Sequence, residues 1–208
     1  MSRLTIYGTP ASRTIRTIWM ATELGLDYEL DPVDFRKGET KEPAYLALNP
    51  NATVPTIEDG DFVLWESLAI NLYLARKHPG PLTPNSLEEE MLAMQWSMWA
   101  LTRLEEPCVV LVQNATGVHP HPADKVAAAM EAVKAPMAVL DGELADKEYL
   151  LGERFTVTDL NVSCVARVLK RVEFDFGAYP HVADWLDRCL ARPACKEAQE
   201  IQAKAMAA

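Results

Sequence analysis

Near the start of the chain, Leu4 and Ile6 alternate with polar neighbours. That is the two-residue period of a half-buried strand, and it ends near Tyr7-Gly8. Beyond Thr9-Pro10-Ala11-Ser12 the period lengthens, with Ile15, Ile18 and Trp19 on one helical face and Gly25 as the stop. Residues 28–33 predict a second strand, followed to about Leu48 by loop and short helix. Residues 54–57 and 62–65 flank Asp59-Gly60, a turn pair that favours a hairpin. Glu66-Ser67 then opens a helix whose apolar stripe, Leu68, Leu72 and Ala75, runs to Lys77.

The order so far is β-α-β-(α)-β-β-α, which predicts an α/β, thioredoxin-like domain. Residues 78–85 then hold three prolines and a glycine. So stiff a stretch predicts a boundary between a first domain, 1–80, and a second, 86–208. The second reads as all-helical. Ser86-Leu87-Glu88-Glu89 is a capping box with glutamates complementing the helix dipole. Its helix carries two apolar stripes, Met91/Met94/Met98/Leu101 and Leu92/Trp96/Trp99, so it must bury two faces. Further helices are predicted at 123–145 (kinked at Pro136), 157–171, 179–191 and 194–206. Thr156-Val157-Thr158-Asp159 forms a second capping box, and the alanine-rich last six residues are expected to fray.

Composition narrows the function. The 208 residues include 30 acidic and 20 basic side chains, a formal net charge of −10. That balance disfavours nucleic acid and anionic membrane surfaces, which both call for a basic face. No apolar run reaches the ~20 residues of a membrane helix, and the N-terminus lacks a signal-like apolar region, so a cytoplasmic protein is expected. Cys108, Cys164, Cys189 and Cys195 form no C-x-x-C pair and read as reduced, buried thiols. His119-Pro120-His121-Pro122 has no carboxylate or thiol ligand nearby in sequence; it reads as a loop, and no metal is expected.

Three places carry candidate chemistry. The turn 7–13 offers three hydroxyls, Tyr7, Thr9 and Ser12, at the head of a helix, and no thiol. It cannot form its own disulfide, but it could donate a hydrogen bond to another molecule's thiolate. The alternative is that Ser12 only caps the helix. Pro55 is a candidate cis-proline presenting the Val54 backbone to an extended peptide, or simply the start of an edge strand. Glu66-Ser67 could hold the ammonium and carboxylate of an amino-acid head group, or merely cap its helix.

Together these blocks resemble the cytosolic glutathione S-transferase family, and within it the bacterial-type, serine-using proteins. The resemblance rests on residues 4–7, Ser12-Arg13, residues 19–28 (WMATELGLDY), the Asn49-Pro50…Val54-Pro55 block, residues 66–70, and residues 152–160 (GERFTVTDL) in the helical half. It implies that Ser12 stabilises the glutathione thiolate, that Val54 and Pro55 hold the cysteinyl unit, and that Glu66 and Ser67 hold the γ-glutamyl head. Lys41, or neighbouring Lys37, would meet the glycyl carboxylate. Trp96, Trp99 and Arg103, with Met98, are candidates for the acceptor site. The implied co-substrate is reduced glutathione, the second substrate a hydrophobic electrophile, and the assembly a homodimer. Glutathione-dependent disulfide reduction or peroxidase activity, and a non-catalytic ligand-binding protein of the same fold, are the alternatives. Two departures stand out. Ala52-Thr53 replaces the family's frequent glycine and basic residue before Val-Pro, and counting back from Gly25 puts Ala11 at the catalytic place, with Thr9 and Tyr7 as other hydroxyls. The absence of cysteine from the turn speaks against the cysteine-using classes.

Overall fold

A computed structural model describes residues 4–207. The chain divides into two compact units, one running to Thr83 and resuming at Arg192, the other Pro84–Ala191.

The first unit is built on a four-stranded sheet: β1 (Leu4–Tyr7), β2 (Tyr28–Asp31), β3 (Thr56–Asp59) and β4 (Phe62–Trp65), in the order β2-β1-β3-β4. β1 pairs parallel with β2 and antiparallel with β3, and β3 pairs antiparallel with β4. The parallel pair needs a crossover, and α1 (Thr14–Glu23) supplies it. Ile6 faces Ile57 across the centre of the sheet, both fully buried. α2 (Pro43–Leu48) and α3 (Ser67–Lys77) complete the βα pattern that the periodicity predicts. Gly25, at φ +62°, ends α1 in the left-handed conformation of a C′ glycine.

α1 departs from expectation. A single apolar stripe predicts one covered face, yet every residue from 14 to 21 is buried. The reason is the last helix, α10 (Pro193–Ala207), which packs along α1. Arg192 clamps Glu23 with two 2.7 Å bonds, and Trp19 donates to the same carboxylate at 2.9 Å. α10 falls in the same compact unit as α1. α10 is helical to Ala207, with Ala198 and Gln202 buried on it; Ala208 lies outside the described residues.

The second unit contains α4 (Leu87–Trp99), α5 (Glu106–Thr116), α6 (Ala123–Ala132), α7 (Lys134–Glu143), α8 (Val157–Ala166) and α9 (Pro180–Leu190). Between α4 and α5, residues Ala100–Glu105 form a wide π turn. Pro107 has no N–H for the Arg103 carbonyl and would crowd it in a regular helix; widening the turn just upstream accommodates the ring. The expected kink at Pro136 is instead a break at Val133. Pro136 then falls in the first turn of α7, where a missing N–H costs nothing.

α8 is buried along its whole length. Both halves of its capping box form: Thr158 N–H donates to Thr156 Oγ1 at 3.2 Å, and Thr156 N–H to Asp159 Oδ2 at 2.9 Å. Asp159 also accepts from Thr156 Oγ1 (3.1 Å), Leu150 N–H (2.8 Å) and Trp185 Nε1–H (3.0 Å). Burial pushes its carboxyl above the usual range, opposed by these hydrogen bonds. At the start of α4, Ser86 caps Glu89 N–H at 3.2 Å. No helix of the described residues is long and apolar enough to cross a membrane.

Candidate functional site

The turn after β1 is a compact hydroxyl cluster. Ser12 Oγ donates to the Thr9 carbonyl at 2.7 Å, lies 2.9 Å from Thr14 Oγ1, and accepts from Thr14 N–H at 3.2 Å. It is half-buried, whereas Thr9 and Thr14 are buried. Ala11 contributes a backbone N–H toward Thr9 Oγ1 (3.4 Å) but has no side chain able to donate. Tyr7 is committed elsewhere: its hydroxyl donates to Glu58. Burial, and then that carboxylate, raise its pKa well above the usual phenol value. A phenol so placed is a poor stabiliser of a second anion.

Gly8 brings this turn against the next loop. Its φ is +128°, and a Cβ there would lie 2.2 Å from Thr14 Oγ1 and 2.8 Å from Val54 Cβ. Only glycine allows the β1 end, the head of α1 and Val54 to meet so closely. The Val54–Pro55 peptide bond is cis. The loop leading to it is pinned from inside, with Tyr45 Oη donating to the Thr53 carbonyl at 2.6 Å and Asn49 Nδ2 to the same oxygen at 2.9 Å. Ala52, standing where the family often has glycine, takes a left-handed φ of +55°.

Glu66 and Ser67 open α3. Ser67 is buried at its first position, while Glu66 is exposed, with φ +75° and ψ 108°. A glutamate rarely adopts that conformation, and such strain is concentrated at functional positions. The Glu66 side chain makes no capping hydrogen bond to the helix. The helix dipole places positive character at this end of α3. Lys37 and Lys41 are exposed on the short turns 35–41.

In the second unit, Trp99 and Arg103 share a groove of about 500 Å³ with Pro107, Pro136 and Val139. Trp96 belongs to the core: it is 5% exposed, with its ring edge-on to Trp99 at 5.0 Å. Met98 is exposed on α4, as are Leu87, Met91 and Met94, and Leu101 is exposed in the π turn that follows. The four cysteines are buried and unbridged. His119 and His121 pack edge-on, His121 Nε2 lying 3.0 Å from Gln113 Oε1. Among the described residues no group of three or more His, Cys, Asp or Glu could hold a metal ion.

Comparison with known proteins agrees with this architecture. Residues 2–76 match the glutathione S-transferase N-terminal domain, and residues 100–193 the glutathione S-transferase C-terminal domain. The chain is 34% identical over 206 residues to glutathione S-transferase 3 of Zea mays, covering 93% of this chain and 92% of that protein. The chain belongs to the glutathione S-transferase family. It is also 33% identical to glutathione S-transferase PARB of Nicotiana tabacum, over 91% of this chain and 93% of that one. A theta-class glutathione S-transferase of Xanthomonas axonopodis pv. citri, solved with glutathione bound, superposes with a TM-score of 0.87 at 31% identity. That alignment covers 95% of this chain and 97% of the other.

Membership gives the hydroxyl turn its context, and the structure adds residues to which the sequence reading gave no individual role. Thr14 completes the Ser12 network. Gln202, nearly 200 residues away on α10, donates to the Pro10 carbonyl at 3.2 Å and so steadies the turn from behind. Tyr45 and Asn49 hold the Val54 loop. Asn49 stands in a recognisable Asn-Pro block, so its polar, loop-ordering side chain is the one of these that a sequence signal reaches.

Proposed function

We propose that this protein is a serine-using glutathione transferase, in which Ser12 donates a hydrogen bond to the glutathione thiolate and the thiolate attacks a hydrophobic electrophile. The observation that carries the reading is the approach of the Ser12–Thr14 turn to Val54 across Gly8. A peptide-like ligand paired with the Val54 backbone would lie beside the one hydroxyl of the turn that is neither buried nor engaged by a carboxylate. A thiol of ordinary pKa, about 8.5, is only slightly ionised at neutral pH, so a hydroxyl donor and a helix N-terminus lower the barrier by favouring the nucleophile. The sulfur belongs to the co-substrate, and the protein forms no covalent intermediate. Bringing it to the electrophile in a fixed orientation supplies further acceleration.

Glu66 and Ser67 would take the γ-glutamyl ammonium and carboxylate, and Lys41 or Lys37 the glycyl carboxylate. Trp99 and Arg103 offer an indole face and a guanidinium to an aromatic electrophile. The bound glutathione of the Xanthomonas relative supports the choice of co-substrate. The partner we assign to the α4 face is a second copy of the chain. Leu87, Met91, Met94, Met98 and Leu101 are all exposed, and their 4-3-4-3 spacing suits packing against another helix. Sedimentation is then expected to give the mass of two chains.

The test is Ser12→Ala. Retention on immobilised glutathione is expected to persist, while turnover of a chloronitroaromatic at neutral pH falls about 10–100-fold, the worth of one hydrogen bond to a charged group. Full turnover in the Ser12→Ala protein refutes the assignment.

A further inference from the structure

Resting on the reading of Ser12 above, we infer that Thr14 is a positioning residue for the thiolate-stabilising hydroxyl. Ser12 has one hydroxyl proton, and at 2.7 Å the Thr9 carbonyl takes it. The 2.9 Å contact between Ser12 Oγ and Thr14 Oγ1 therefore uses the Thr14 proton. Ser12 Oγ also accepts from the Thr14 N–H at 3.2 Å. It thus receives two hydrogen bonds from one residue and gives one.

Two consequences follow from that polarity. Donors pointing into an oxygen draw charge from it and strengthen the bond its own proton makes, so Ser12 becomes a better donor to an anion. When a thiolate arrives, only the Ser12 proton has to turn, from the Thr9 carbonyl to sulfur, while Oγ stays held by Thr14. Thr14 is fully buried, so its hydroxyl has no water to turn to and remains on Ser12. Gly8 makes the arrangement possible, since a Cβ there would sit 2.2 Å from Thr14 Oγ1. Valine has the shape and nearly the helix propensity of threonine, so Thr14→Val removes the hydroxyl with little other change.

The experiment measures the ultraviolet absorbance of bound glutathione thiolate against pH in wild type, Thr14→Val, Thr14→Ala, Thr14→Ser and Ser12→Ala proteins. Thr14→Val and Thr14→Ala are each expected to raise the bound thiol's pKa by about 0.5–1 unit. Their turnover falls about 3–10-fold below that pKa and recovers toward wild type above it. KM for glutathione stays within about twofold, and Thr14→Ser restores the wild-type profile. An unshifted thiol pKa in both hydroxyl-less variants overturns the role of Thr14, as does a turnover loss equal at every pH. If one hydroxyl-less variant fails to fold, the other decides. Should Ser12→Ala leave the thiol pKa unchanged, it is the reading of Ser12 itself that fails. A shift in Ser12→Ala without one in Thr14→Val or Thr14→Ala overturns only the present inference.

Discussion

Glu66 separates binding from stability in a way two substitutions can read. Its φ of +75° with ψ of 108° lies outside the left-handed helical well, and a non-glycine residue held there costs about 1–3 kcal/mol. Glycine adopts the same backbone freely but returns about 0.4–1 kcal/mol through a more flexible unfolded chain. Glu66→Gly is therefore expected to stabilise the protein by about 1 kcal/mol. Glu66→Ala keeps the strain, and because the side chain is exposed and does not cap α3, it should leave stability nearly unchanged. Both lose the carboxylate assigned to the γ-glutamyl ammonium, so both should weaken glutathione binding about 10–100-fold, with kcat at saturation much less affected. Denaturant unfolding and a glutathione titration of the three proteins check this. A Glu66→Gly protein no more stable than Glu66→Ala refutes the strain argument, and unchanged glutathione affinity in both refutes the head-group assignment.

How far the chain could be read in advance differs between its two kinds of information. Local rules carried the sheet, because Leu4/Ile6, the Asp59-Gly60 turn and Gly25 each act within a few residues of themselves. Local rules also marked the 7–13 turn, Val54-Pro55 and Glu66-Ser67 as candidates, since turn chemistry and helix starts are short-range, but each had a plain structural alternative and the family resemblance chose between them. What stayed hidden was long-range. Nothing near α1 announces that α10 covers its second side, so Thr14, Arg16 and Thr17 look like a solvent face when they are buried. The same distance hides Gln202 behind the turn after β1. Trp96 and Trp99 read alike in the helical stripe, and only packing sends one to the core and leaves the other lining a groove. Pro107 was a visible signal for the widened turn, but a single proline two positions into a following helix reads equally as an ordinary start.

The buried network suggests two stability tests of opposite sign. Thr17 is fully buried on α1 and its hydroxyl has no hydrogen-bond partner among the described residues. Thr17→Val removes that desolvated group at constant shape and is expected to stabilise by about 1 kcal/mol in urea unfolding; a loss of stability would show that the hydroxyl is satisfied after all. Asp159→Asn is expected to do the reverse. Each carboxylate oxygen accepts two hydrogen bonds, Oδ1 from Leu150 N–H and Trp185 Nε1–H, Oδ2 from Thr156 N–H and Oγ1–H. The asparagine amide offers one acceptor oxygen, so whichever way it is turned its NH2 faces two of these groups. The backbone N–H in either pair cannot turn away, and at a site buried from water it is left unsatisfied against another donor. Two lost bonds to a charged acceptor, at about 1.5–3 kcal/mol each, put the cost near 3–6 kcal/mol. That is a large share of the roughly 5–15 kcal/mol that holds a domain folded. The second unit should therefore unfold at markedly lower urea, and an Asp159→Asn midpoint equal to wild type would mean that the carboxylate does not anchor α8 and the 150–156 segment.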